Sequence, residues 1–115
     1  MNKNLNTVQI GQQGETDAGS FLAQKGYEII RKNYRFKKSE VDLIAKQDDT
    51  MVFIEVKKRK NGLFGNPEEA VNDRKARLIH AAAINFVEER SWTGHIRFDI
   101  VAITDENICH FEDAF

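Results

Sequence analysis

The segment from Glu40 to Lys60, "EVDLIAKQDDTMVFIEVKKRK", decides how the fold is read. Two runs rich in Val, Ile, Leu and Phe flank a short polar stretch, the pattern of two β-strands joined by a tight turn. Side chains alternate along a strand, so Glu40, Asp42 and Ile44 face one side of the first, and Val41, Leu43 and Ala45 the other. In the second strand Phe53, Glu55 and Lys57 share one face and Val52, Ile54 and Val56 the opposite one. A two-residue loop at Asp48–Asp49 and a four-residue loop from Gln47 to Thr50 give the same register. Asp42 then lies opposite Glu55, and Glu40 opposite Lys57, with all four side chains on one face. Opposed Cβ atoms in such a ribbon are about 4.5–5.5 Å apart. A loop of odd length would carry one strand's set to the other face.

Carboxylates facing each other across a sheet are destabilising. Lys57 offsets part of the repulsion between Asp42 and Glu55, and a divalent cation would offset more. Two carboxylates, the carbonyl of Val56 and waters suit Mg²⁺, which takes octahedral oxygen ligation and keeps several waters. Mn²⁺ accepts the same donors. Zinc has no ligand set here, because Cys109 and His110 are adjacent and no second pair stands at ligand spacing. The simpler alternative is a solvated outer face with ion pairs Glu40–Lys57 and Glu55–Lys57. Three features favour a site: the acids sit inside strongly apolar strands, Glu15 adds a further acid from a separate helix, and Lys58, Arg59 and Lys60 follow at once with charge suited to phosphates.

Upstream, "GQQGETDAGSFLAQKG" (11–26) has helical spacing, with Ala18, Gly19 and Leu22 on one stripe and Gly26 as its stop. Glu15 lies three, four and seven residues before those three, so it shares their inward face, where a charge is costly without a partner. "YEIIRKNYRF" (27–36) reads as a first strand. Downstream, "LFGNPEEAVNDRKARLIHAAAINFVEER" (63–90) is the clearest helix. Asn66 suits the cap, Pro67 the first helical position, and Glu68 and Glu69 the positive helix end. Val71, Lys75, Leu78, Ile79, Ala82 and Phe86 follow one stripe. Lys75 on that stripe is read first as the partner of an acid and second as a phosphate contact. "RFDIVAI" (97–103) and "NICHF" (107–111) complete the strands, and Arg97 with Asp99 reads as a structural cross-strand ion pair. The order α-β-β-β-α-β-β places 1–115 in one mixed α/β domain with helices packed on a sheet.

The chain has 115 residues, of which 41% are hydrophobic and 30% charged, enough for one hydrophobic core without staples. The formal net charge of −1 says nothing for nucleic acid, but its distribution does. Residues 31–60 carry ten Lys or Arg against five Asp or Glu, whereas 104–115 carry four acids and no Lys or Arg. The single cysteine, Cys109, excludes a disulfide framework within the chain. With no apolar run in "MNKNLNTVQI" and none of bilayer-spanning length elsewhere, a cytoplasmic protein without membrane association is expected.

Asp42, a hairpin and "EVK" at Glu55–Lys57 resemble the Asp…(Asp/Glu)-x-Lys signature of restriction-endonuclease-like nucleases. More closely, the chain resembles the YraN family, a bacterial group of uncharacterised proteins predicted to be endonucleases. The likeness runs through "GQQGETDAGSFLAQKGYEIIRKNYR", "SEVDLIA", "VFIEVKKR", "FGNPEEAVNDRKARLIHAAAINFV", "RFDIVAI" and "HFEDAF". Ser39 departs from it, standing where that family usually has glycine. The resemblance implies a restriction-endonuclease-like αβββαβ core, similar to Holliday-junction resolvases, with a central mixed sheet flanked by helices. It implies Mg²⁺- or Mn²⁺-dependent cleavage of phosphodiester bonds, in DNA before RNA and in branched DNA of repair or recombination. Asp42, Glu55 and Val56 would hold the metal, Lys57 would be the catalytic lysine, and Glu15 would complete the catalytic set. Lys58, Arg59, Lys60 and Lys75 would contact nucleic-acid phosphates. Work on a two-fold junction would call for a homodimer. The rival expectation is a nucleic-acid-binding module that keeps the fold without the chemistry.

Overall fold

The computed structural model describes residues 7–58, 71–105 and 107–115, with side chains from residue 13 onward. Helix α1 spans Thr7–Gln24 and is followed by β1 (Glu28–Phe36), β2 (Ser39–Gln47) and β3 (Thr50–Lys58). Helix α2 (Asp73–Glu89), β4 (His95–Ile103) and β5 (Ile108–Phe111) complete the order read from the sequence. The strands form one sheet in the order β1-β2-β3-β4-β5. All neighbours are antiparallel except β3 and β4, which run parallel. A parallel pair needs a crossover, and α2 lies within that connection. This is the mixed sheet flanked by helices that a restriction-endonuclease-like core requires.

The alternation of β2 and β3 distributes two cores. Leu43, Ala45, Val52 and Ile54 pack with Ala18 and Leu22 of α1, and Val101 and Ile103 of β4 join them. Ile44 and Phe53 pack on the other side with Ile79, Ala82, Ala83 and Phe86 of α2. The central strands are therefore buried on both faces, which explains their nearly continuous apolar sequence. Phe86 meets Tyr34 and Phe53 edge-to-face, at centroid distances of 5.1 and 6.0 Å. No described helix is long and apolar enough to cross a membrane.

Helix α1 ends as its sequence predicts. Gly26 adopts φ +93°, its N–H donates to Ala23 O (3.1 Å), and the Tyr27 N–H donates to Leu22 O (3.0 Å). This paired closure satisfies the last carbonyls and needs a left-handed residue, a role glycine fills without strain. Tyr27 and Leu22, brought together by it, are both buried in the α1-side core. Helix α2 starts later than the sequence suggests. Its cap is Asn72, whose side chain accepts from the Lys75 N–H at 2.8 Å. Val71 and Asn72 are not helical, so no single helix runs from Asn66 to Arg90. Asn66, Pro67, Glu68 and Glu69 themselves lie outside the described residues. The sequence points to Asn66 as the cap of this helix; for α2 that place is filled by Asn72, another asparagine followed by charged residues.

Candidate active site

The β2–β3 ladder runs from Gln47↔Thr50, around the two-residue turn at Asp48–Asp49, to Leu43↔Ile54. The pairing ends there, one step before Asp42 and Glu55, and the alternation of β2 breaks with it: Val41, expected on the face of Leu43 and Ala45, packs instead with Ile44 and Phe53 in the α2-side core. The Val56 N–H donates to Asp42 Oδ2 at 2.8 Å. A carboxylate thus takes the donor that a continuing ladder would have used. Glu55 is only 4% exposed. Its Oε2 receives Lys57 Nζ at 3.5 Å and is also ion-paired with Lys75 of α2.

Strand β1 is irregular at the same level. The pairs Lys32↔Leu43 and Tyr34↔Val41 straddle Asn33, which adopts φ +54° inside the strand. Asparagine is one of the few residues besides glycine that tolerate this conformation. Asn33 hydrogen-bonds to Glu15 of α1. Three elements therefore bring Glu15, Asp42 and Glu55 into one electrostatic neighbourhood.

Burial pushes the Asp42 carboxyl up, Glu55 pushes it further, and Glu15 adds to the rise. The Val56 hydrogen bond and Lys75 oppose this, and the net result is about 7. Glu15 is also raised, chiefly by burial; Glu40 and Glu55 contribute, against the hydrogen bond to Asn33 and the charge of Lys32. A carboxyl that keeps its proton to near neutrality beside a second carboxylate is costly to ionise unless a cation arrives. Among the described residues no three His, Cys, Asp or Glu side chains converge on one point. A metal at this place would be held by the two carboxylates of Asp42 and Glu55, with backbone and water as further ligands. That donor set fits Mg²⁺ or Mn²⁺, which take few carboxylates and retain water.

Lys58 ends β3 and is exposed, while Arg59 and Lys60 lie outside the described residues. Lys75 is half-buried, with its ammonium on Glu55, which is the first of its two expected roles. Glu40 does not reach Lys57; it pairs with Arg35 across the β1–β2 hairpin at 3.1 Å. Tyr34 is core, its hydroxyl accepting from Asn85 at 2.7 Å.

Arg97 and Asp99 form their ion pair within β4 rather than across strands. Arg97 Nε and an Nη hydrogen-bond to the two carboxylate oxygens of Asp99 at 2.9 and 2.8 Å. Burial alone would raise the fully buried Asp99, but hydrogen bonds from His110, Arg97 and the Asp113 N–H hold its carboxyl below the ordinary value. His110 Nε2 is 2.7 Å from Asp99, and its Nδ1 is 2.7 Å from Lys25 Nζ. A lysine ammonium only donates, so Nδ1 accepts and the Nε2 proton points at Asp99. Arg97 also donates to the Tyr27 hydroxyl at 2.7 Å. The whole cluster is mutually satisfied and ties the end of α1 to β4 and β5. No spacing in the sequence pointed to His110 or Lys25, because their partner lies on another strand.

The sequence model of uncharacterised protein family UPF0102 matches residues 14–103. A UPF0102 protein of Cytophaga hutchinsonii is 48% identical over 101 residues, covering 88% of this chain and 89% of that one. One from Thermodesulfovibrio yellowstonii is 39% identical over 94% of this chain and 96% of its own length. Another, from Phocaeicola vulgatus, is 40% identical over 93% and 92% respectively. The matched residues include the α1 acid, the β2–β3 ribbon and the helix that reaches it. The chain belongs to the UPF0102 family, the YraN-type proteins.

Proposed function

We propose that the chain is a metal-dependent endonuclease that hydrolyses phosphodiester bonds in nucleic acid, with branched DNA as its foremost substrate class. The observation that carries this reading is the Asp42–Glu55 pair. Two carboxylates are held together where β2 and β3 cease to pair, and one of them keeps its proton up to about 7. Mg²⁺ or Mn²⁺ held by Asp42, Glu55 and the Val56 carbonyl would supply Lewis acidity at a phosphoryl oxygen and a water acidic enough to attack at neutral pH.

The chain's own residues do the remaining work. Lys57, 3.5 Å from Glu55, stands where it can orient the attacking water and oppose charge growing on the phosphate. Glu15 brings a further carboxyl from α1, its proton affinity raised by burial. Lys58, Arg59 and Lys60 neutralise flanking phosphates. Lys75 leaves Glu55 for a phosphate once that carboxylate is otherwise engaged.

The test is a cleavage assay over branched and linear DNA and structured RNA, with Mg²⁺ and with Mn²⁺. Asp42→Ala and Glu55→Ala are expected to abolish metal-dependent cleavage while leaving the far-ultraviolet circular dichroism unchanged. Wild type and Asp42→Ala nicking at equal rates would sink the residue assignment. One observation favours a second reading, a nucleic-acid-binding module without cleavage: Lys57 and Lys75 both pair with Glu55, supplying the counter-charge that a metal would otherwise bring. DNA binding together with an absence of cleavage across the whole panel would select it.

A further inference from the structure

A cleft of about 280 Å³ opens between the β1–β2 turn and the start of α2. Its polar lining is Lys38, Ser39, Glu40, Asn72, Arg74 and Lys75, with two apolar side chains of α2 behind them. Lys75 also pairs with Glu55, so the cleft and the acid pair share a wall. Three cations line it against one acid, and that acid is turned to Arg35 at 3.1 Å.

Two independent features point to an anion. The first is the N-terminus of the 17-residue α2. Asn72 takes the Lys75 N–H, which leaves earlier first-turn amides as donors at the positive helix end. Asp73, the acid of that turn, does not line the cleft. The second is Ser39, only 7% exposed, whose buried Oγ has no hydrogen-bond partner among the described residues. A buried hydroxyl without a partner is costly and calls for an acceptor.

We infer that this cleft is a phosphate subsite for the nucleic-acid backbone next to the bond being cut. Lys38 and Arg74 supply charge from opposite walls, the first turn of α2 supplies backbone donors, and Ser39 donates its hydroxyl proton to a phosphate oxygen. Planar, forked Arg74 suits two oxygens at once. The inference deepens the nuclease reading by naming the ligand chemistry beside the acid pair, and it makes Ser39 a binding group.

The test uses the full-length chain in EDTA, so that no cleavage intervenes. Inorganic phosphate is titrated while backbone amide resonances are followed, and affinity for a fluorescent DNA duplex is measured in parallel. Phosphate is expected to shift the amides of Ser39 and of residues 73–75 in wild type, and not in Arg74→Ala. The Lys38→Ala/Arg74→Ala variant is expected to bind DNA with a log–log salt slope smaller by about 2. Ser39→Ala, a change too small to unfold the chain, should lose about threefold in affinity, the scale of one modest hydrogen bond. Arg90→Ala, at the far end of α2, should match wild type. Amides at the cleft that ignore phosphate, or a Lys38→Ala/Arg74→Ala slope equal to wild type, overturn the inference. The outcomes separate the two readings: a chain that never cleaves but shows the phosphate shifts keeps the subsite and loses the nuclease. Metal-dependent cleavage with unchanged KM in Arg74→Ala and Ser39→Ala keeps the nuclease and loses the subsite.

Discussion

Asp42 is the residue on which the proposed chemistry turns. Its proton affinity is raised to about 7 by burial and by Glu55, while the unfolded chain releases the same proton near the ordinary value of 3.8. Below about pH 4 both states hold the proton and the group has no effect on stability. Between about pH 4 and about pH 7 the unfolded state ionises first, so the folded state loses ground as pH rises. Asp42→Asn keeps an acceptor for the Val56 N–H and removes the charge. Without divalent ion, Asp42→Asn is predicted to be more stable than wild type at about pH 8 by on the order of 2 kcal/mol, the gain vanishing toward about pH 4. Chemical denaturation across that range measures it. Added Mn²⁺ should reverse the order, stabilising wild type alone. The nearness of Asp42 to Glu55 was legible, because the Asp48–Asp49 turn fixes the parity of the ribbon up to Leu43 and Ile54. The breaking of the ladder at that point was not, since the alternation in the sequence continues through it unchanged. Nor was the left-handed Asn33, which places a hydrogen bond on Glu15 and looks in sequence like any polar strand residue.

At the scale of elements, the two helix ends show what local sequence can and cannot decide. Gly26 after Lys25 ends α1 because one position there needs a positive φ, and the sequence offers one glycine at the right place. The start of α2 was expected at Asn66-Pro67, on good local signals, but α2 is capped by Asn72, which sets Arg74 and Lys75 in the first turn, beside the acid pair and the cleft. Asn72→Ala is predicted to cost about 1 kcal/mol of stability, the usual scale of a lost N-cap. A larger share of its effect should fall on function, because the first turn of α2 holds both cations. Urea denaturation paired with DNA affinity separates the two effects. Glu40 was misassigned at this scale too. The sequence placed it opposite Lys57, but β2 also pairs with β1, and Arg35 on that neighbour is the nearer cation.

At the scale of the whole molecule, the charges divide into two groups with different work. Where β2, β3 and α2 meet, Lys57 and Lys75 pair with Glu55, and Asp42 beside it keeps its proton to about 7 because burial and Glu55 oppose its charge. At the junction of α1, β4 and β5, Asp99 accepts from Arg97, His110 and the Asp113 N–H, and both its oxygens are satisfied. Its carboxyl is held low, so it contributes stability above its ordinary value of 3.8 and loses it as pH falls through the depressed folded value. Asp99→Asn is predicted to destabilise the fold at neutral pH by about 3 kcal/mol, since it leaves Arg97 without its buried partner. The gap to wild type should close in strong acid, where both chains lack the charge, and thermal unfolding at neutral and acidic pH tests this. The net charge of −1 conceals a local imbalance, because the excess of five positive charges in residues 31–60 is nearly offset by the four acids of 104–115.

Metal-dependent cleavage by this chain requires that Asp42 and Glu55 share a divalent ion. Isothermal titration with Mn²⁺ at about pH 7.5 and again at about pH 6 measures this directly. Wild type is predicted to bind with carboxylates from both strands, on the order of tenfold more weakly at the lower pH because Asp42 must first lose its proton. Asp42→Asn and Glu55→Gln should each abolish the binding isotherm. Binding that survives unchanged in either variant, or a wild-type chain that takes up no Mn²⁺ at either pH, would contradict it.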